Sequence, residues 1–248
     1  MVNIGEIVKT YLFVQVSMLV FIAPFYLLFA RRTGQSIRHL HLNEHALEFF
    51  ESKEANWLVF FWAMAETTFW FVIPEFLLVI IIFVKVKNKV SLITYDLLGT
   101  IVGTILGLII ANNANISLVQ IPFISEAMVD QTRVWLGQLN VFGLLFQPFS
   151  GVPYKTFVFL AHDYNLNPIF FLIAGLVVRI GRYAILYMLF QSIYPLLHRF
   201  ISKNYVPIFF ATCFVFAVML LLVYYSYGPS YTVDESIPRL LLELSGKK

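Results

Sequence analysis

A chain of 248 residues in which 60% are hydrophobic and only 12% charged has too few charges to cover a water-facing surface, since a soluble domain carries about 25%. Its mean hydropathy of +0.80, with 26 Phe and 13 Tyr, fits a lipid environment in which aromatics occupy lipid-facing and interfacial positions. The formal net charge of +3 has no basic run or face behind it, which excludes a nucleic-acid footprint, and the lone Cys213 excludes an intrachain disulfide.

The first apolar stretch, residues 11–30, ends at Arg31-Arg32. It matches the ~20 apolar residues of a membrane-crossing helix and exceeds the ~7–15-residue core of a cleavable signal, so it is predicted to be a retained span. Residues 32–56 alternate Leu40, Leu42, Leu47 and Phe50 with Glu44, Glu48, Glu51 and Glu54. This reads as an amphipathic connector at the membrane surface. His39, His41 and His45 lie in it without a further ligand set, and surface histidines explain them better than a metal.

Residues 57–84 are apolar again but carry Glu66, Pro74 and Glu75, and Lys85, Lys87 and Lys89 close the stretch. Proline lacks an N–H and breaks a helix. Residues 90–111 follow as a span bearing Asp96, with Gly99, Gly103 and Gly107 at a spacing of four, a small-residue stripe that lets a neighbouring helix come close. A mixed stretch, 112–133, holds Pro122, Glu126 and Asp130. The apolar segment 134–161 is broken by Gln-Pro-Phe-Ser-Gly-Val-Pro at 147–153, which places Gly151 and Pro153 at the break and Lys155 just beyond it. After a turn at 162–168, residues 169–197 form a long apolar segment with Arg179 and Arg182 at i and i+3, on one helix face. Residues 206–227 make a last span before a polar tail.

The expected organisation is all-α: about four transmembrane helices, with 57–84 and 134–161 as either kinked spans or re-entrant hairpins. The positive-inside rule favours the hairpin for the first, because Arg31, Arg32 and Arg38 before it and Lys85, Lys87 and Lys89 after it belong on one side. Three units follow, 1–56, 57–197 and 198–248: an N-terminal helix with its connector, a core with the two broken segments in an inverted-repeat arrangement, and a C-terminal helix with its tail. Interrupted segments at matching positions of two halves point to a transporter binding site.

Ionisable groups at membrane depth cost about 2.5–3.5 kcal/mol each on insertion scales and therefore pair, face water or work. Here Glu66, Glu75 and Asp96 fall in the first half and Lys155, Arg179 and Arg182 in the second. If the halves pack together, opposite signs meet. The charges either lock the halves in register or line a polar cavity for protons and an anionic headgroup. Two guanidinium forks on one face suit a phosphate, and snorkelling to the interface is the alternative. No nucleophile elbow, zinc-protease or phosphate-loop motif occurs, and an enzyme is not expected.

Three stretches together resemble the DedA family, whose shared region is also called the SNARE-associated or VTT domain. They are ETTFWFVIPEF at 66–76, FGLLFQPFSGVPYKTFVFLAHDYNLNPIFFL at 142–172 and GLVVRIGRYAILYML at 175–189. They resemble the family's first hairpin, its second hairpin and its Arg-x-x-Arg-aromatic helix, over about residues 57–190. The sequence departs from the family where Ala161-His162 follows the second break, in the looser QPFSGVP core, and in the slightly acidic 112–134 loop. The resemblance implies two membrane-embedded hairpins with turns at Pro74, Gly151 and Pro153, and a lipid transporter of the flippase or scramblase kind. It also implies an anionic phospholipid or polyprenyl phosphate as substrate, with proton coupling. Glu66 and Glu75, with Asp96, would be proton-linked. Arg179 and Arg182, with Lys155, would recognise phosphate. No cofactor or metal is expected, and the plasma membrane is the expected location. A proton-coupled ion antiporter and a non-transporting membrane scaffold remain as alternatives.

Overall fold

In the computed structural model, residues 4–33, 48–71, 89–113 and 117–228 are described, and they are helical with no strand among them. The chain runs α1 (Ile4–Thr33), α2 (Lys53–Glu66), α3 (Lys89–Asn113), α4 (Glu126–Leu139), α5 (Gln147–Ser150), α6 (Tyr154–Leu160), α7 (Pro168–Lys203) and α8 (Tyr205–Ser226). A 3-10 stretch, Asn140–Phe146, joins α4 to α5. The expected turns and roles at Pro74 and Glu75, and the histidines of the connector, lie outside the described residues.

Among the described residues, four helical stretches are long and apolar enough to cross a membrane: Ile4–Thr33, Val90–Asn113, Pro168–Leu189 and Pro207–Ser226. Large apolar side chains on them, such as Val16, Ile105, Ile173 and Met219, stand exposed. Lipid contact accounts for this exposure, and a multi-pass membrane protein is the class these helices fit. Three helices extend beyond the predicted apolar stretches: 11–30 becomes Ile4–Thr33, 90–111 becomes Lys89–Asn113 and 169–197 becomes Pro168–Lys203. Helices α2 and α7 run across the unit boundaries drawn at 56/57 and 197/198.

Neighbour contacts fix the directions. Tyr225 donates to Glu6 at 2.6 Å, Cys213 Sγ lies 3.7 Å from Met18 Sδ, and Tyr11 meets Phe214 edge-on, so α1 and α8 are antiparallel. Phe21 packs on Trp62 and Phe25 on Phe61, and Arg32 pairs with Glu54 at 3.0 Å, which sets α1 antiparallel to α2.

Helices α2 and α3 are the most extensively packed pair, and they run parallel. Trp57 meets Tyr95, Phe60 faces Gly99, and Met64 and Thr67 face Gly103. A Cβ at Gly99 would lie 2.1 Å from the Phe60 carbonyl oxygen, and one at Gly103 would lie 1.8 Å from Thr67 Oγ1. The glycine stripe therefore serves backbone approach, as small residues do where helices pack in lipid. Parallel pairing places the start of α3 at the same end of the pair as the start of α2.

The stretch after α3 departs from its sequence reading. Ser125 caps α4 by accepting from the Met128 N–H at 3.3 Å, Glu126 complements the helix dipole, and Met128, Val129, Thr132 and Leu136 form the buried stripe. The expected boundary at 133/134 thus falls inside one capped helix. Its apolar end passes into the 3-10 stretch, and the break comes at Gly151, whose φ of 75° is left-handed, and at Pro153.

A buried charge cluster between the two halves

The end of α2 brings Glu66 to the side of α3 that carries Asp96, Thr100 and Thr104. These three α3 residues sit four apart and are all buried. Helix α7 crosses α3 antiparallel and lays Arg179 and Tyr183, also four apart, against the same side. Arg179 Nη2 contacts Glu66 Oε2 at 2.5 Å, Nη1 donates to the Thr100 hydroxyl, and Asp96 Oδ2 lies 3.8 Å from Nη1. Tyr183 donates its hydroxyl to Asp96 Oδ2. Glu66, Asp96 and Arg179 are 2%, 0% and 3% exposed. An ionised group in so dry a place persists only when paired and hydrogen-bonded, and each of these three is held in that way.

Tyr154, at the start of α6, closes one side. Its ring centroid lies 6.0 Å from the Arg179 guanidinium carbon, its hydroxyl is 3.4 Å from Thr104 Oγ1, and a Cβ at Gly175 would fall 2.2 Å from that hydroxyl. Gly175 is therefore the room that lets the tyrosine reach α7.

Of the six ionisable residues singled out by sequence, the five that are described do not form one site. Glu66, Asp96 and Arg179 come together. Lys155 lies next to them, 1% exposed, but its ammonium donates to the backbone carbonyls of Glu66, at 3.5 Å, and of Trp70. Arg182 is half-buried one turn further along α7 and donates to Gln147 Oε1 at 3.3 Å, while Gln147 donates to the Val152 carbonyl at 3.1 Å. Arg179 thus points into the protein core, and Arg182 points to the second broken segment. The second break is braced from α8: Tyr227 donates to the Ser150 carbonyl at 2.9 Å, and a Cβ at Gly151 would meet Val223 Cγ1 at 2.6 Å. Gly107 faces Val158 of α6, so the glycine stripe serves α6 as well as α2.

Thr100, Tyr154 and Tyr183 belong to the cluster and Gln147 is the partner of Arg182, and sequence reasoning does not single out any of the four. Two carry a usable signal: Thr100 follows Asp96, and Tyr183 follows Arg179, by one helical turn within apolar runs. A cavity of about 620 Å³ lies elsewhere, beyond the C-terminal part of α3, where Glu126, Asp130, Arg133 and Asp163 line it. Among the described residues, no three His, Cys, Asp or Glu side chains gather as a metal site would require. Comparison with protein-family models, with curated proteins and with solved structures finds no match.

Proposed function

We infer that this chain is a DedA-like membrane transporter of a lipid with a phosphate headgroup, a phospholipid or a polyprenyl phosphate, coupled to protons and resident in the cell membrane. The observation that carries the reading is the contact of Arg179 with Glu66 and Asp96 among apolar spans. Charges placed at membrane depth, drawn from three separate stretches of chain, are the mark of a substrate or proton pathway. On this reading the described conformation, in which the Arg179 guanidinium already holds the Glu66 carboxylate and the Thr100 hydroxyl, is a closed one. Transport would exchange partners: a phosphate takes the fork from Glu66, and the displaced carboxylate takes up a proton. Arg182 stands one turn away on the same face, at the second broken segment, where a headgroup would arrive first.

Re-entrance of the first segment is part of this reading, and the parallel run of α2 and α3 supports it. Helix α2 has 14 residues, about 21 Å of axial rise, short of the ~30 Å hydrocarbon core. It ends beside Gly103, within α3 rather than at its end. The break at Gly151–Pro153 supports a second re-entrant segment.

A specific observation favours a second reading, a non-transporting scaffold. Its charges would be dry and mutually satisfied, which describes Glu66 and Arg179. Headgroup-resolved transport of a fluorescent phospholipid and of a polyprenyl phosphate in proteoliposomes, with and without a pH gradient, separates the two. The transporter reading expects movement that Arg179→Lys impairs while the protein still inserts, because a lysine loses the planar fork. If nothing moves with the parent protein, or if Arg179→Lys moves lipid like the parent, the phosphate exchange is wrong.

A further inference from the structure

Lys155 is the buried charge that this mechanism leaves unused, and its partners are unusual. The Glu66 carboxylate turns away to Arg179, and the Lys155 ammonium instead meets the carbonyl oxygens of Glu66 and Trp70. Those carbonyls sit where α2 unwinds. The Phe69 and Trp70 N–H groups both fold back onto the Ala65 carbonyl, at 2.8 and 2.7 Å. The Thr67 and Thr68 hydroxyls take the Met64 carbonyl, at 2.9 and 3.0 Å. The carbonyls of a helix C-terminus lack intrahelical partners and carry the negative end of its dipole. In a bilayer they must be satisfied from within the protein. Elsewhere, unwound backbone carbonyls and half-helix ends do this by coordinating a free monovalent cation.

We propose that the end of α2 is a monovalent-cation seat that Lys155 fills with a tethered ammonium, so that α6 of the second half is fastened to the broken helix of the first by a cation on carbonyls. The seat recognises a small cation with several donors or coordination positions, not an anion. It opens to a free cation only when position 155 carries a short side chain. This inference stands independently of what the protein transports.

Full-length protein with Lys155→Ala supplies the test, purified in detergent and followed by thermal unfolding with added n-propylammonium chloride. That cation has the atoms the substitution removes, from Cγ to Nζ. Propylammonium should raise the Tm of Lys155→Ala saturably, with little effect on the parent or on Lys155→Met, whose side chain refills the space without a charge. Tetramethylammonium chloride at the same ionic strength should leave all three alone, being too large for the seat and having no N–H or O–H to donate. No saturable rise, or an equal rise in Lys155→Met, overturns the proposal. If Lys155→Ala does not accumulate in the membrane, Lys155→Arg and Lys155→Gln are compared instead. A cation seat requires the arginine variant to be clearly the more stable, and equal stability refutes it.

Discussion

Removing one member of the Glu66–Arg179–Asp96 group tests whether the cluster is an electrostatic unit, and its geometry sets the expected order of costs. One guanidinium serves two carboxylates, at 2.5 and 3.8 Å. Breaking a buried ion pair by removing one partner costs about 3–5 kcal/mol, because the other charge is left uncompensated. Glu66→Gln falls below that range: Asp96 still faces the guanidinium, and the amide oxygen can accept from Nη2, recovering a hydrogen bond of about 1 kcal/mol. We expect a loss of about 2–3 kcal/mol. Arg179→Met strands both carboxylates among apolar side chains and falls at or above the top of the range, at about 5 kcal/mol. In the double variant the two effects should overlap, with a coupling of about 1–3 kcal/mol. Equilibrium unfolding in mixed micelles, titrated with a denaturing detergent, reads all four proteins on one scale. Additive single effects, or an Arg179→Met variant no less stable than Glu66→Gln, would mean that the groups do not share a field, and the pairing argument would fail.

Tyr183→Phe removes the donor that the buried Asp96 carboxylate receives from α7, and should destabilise by about 1–3 kcal/mol in the same unfolding assay. Gly103→Ala puts a methyl 1.8 Å from Thr67 Oγ1 and 2.7 Å from the Met64 carbonyl oxygen. It should cost about 1–3 kcal/mol from overpacking or more, whereas Gly181→Ala, with nothing within 4 Å of its added Cβ, should be neutral or gain up to about 1 kcal/mol of helix propensity. In a Cys213→Ala background, single cysteines at the exposed Lys53 and at Asn88 should be labelled by an impermeant maleimide from the same side of the membrane, and labelling from opposite sides would remove the re-entrant first segment. Glu66→Gln should also weaken the dependence of lipid transport on a pH gradient in proteoliposomes, and an unchanged dependence would take the proton off this carboxylate.

The spans were legible because a bilayer demands long apolar runs, and each of the four long helices contains one. Glu66, Asp96 and Arg179 were legible for the complementary reason, that a charge in such a run needs a partner. Which charges pair was not legible. Lys155 and Arg182 have the same formal charge as Arg179, yet Lys155 meets carbonyls and Arg182 meets an amide. That choice depends on how α6 and α7 lie on α3, and hydropathy carries no information about it. The capped helix α4 is not legible from apolar runs because its buried stripe is short and its hydropathy low, and its signal lies in Ser125 and Glu126.

Packing in lipid explains why glycine and charge appear together in this fold. Between membrane helices the hydrophobic effect gives little drive to associate, since lipid tails are as apolar as leucine. Burial of apolar surface therefore does not by itself choose one register over another. The glycine stripe does so for α2 against α3, because Gly99 and Gly103 admit the Phe60 carbonyl and Thr67 only at one axial offset. Arg179 does the same for α7, because its reach to both Glu66 and Thr100 fixes α7 against two helices at once. Lys155 then holds α6 to the same end of α2. Two of these devices, Arg179 and Lys155, tie the second half to the C-terminal end of one 14-residue helix, so a motion that separated the halves would have to release the end of α2. A transported phosphate would have to replace Glu66 on Arg179 there, whereas a scaffold would need nothing to compete for it.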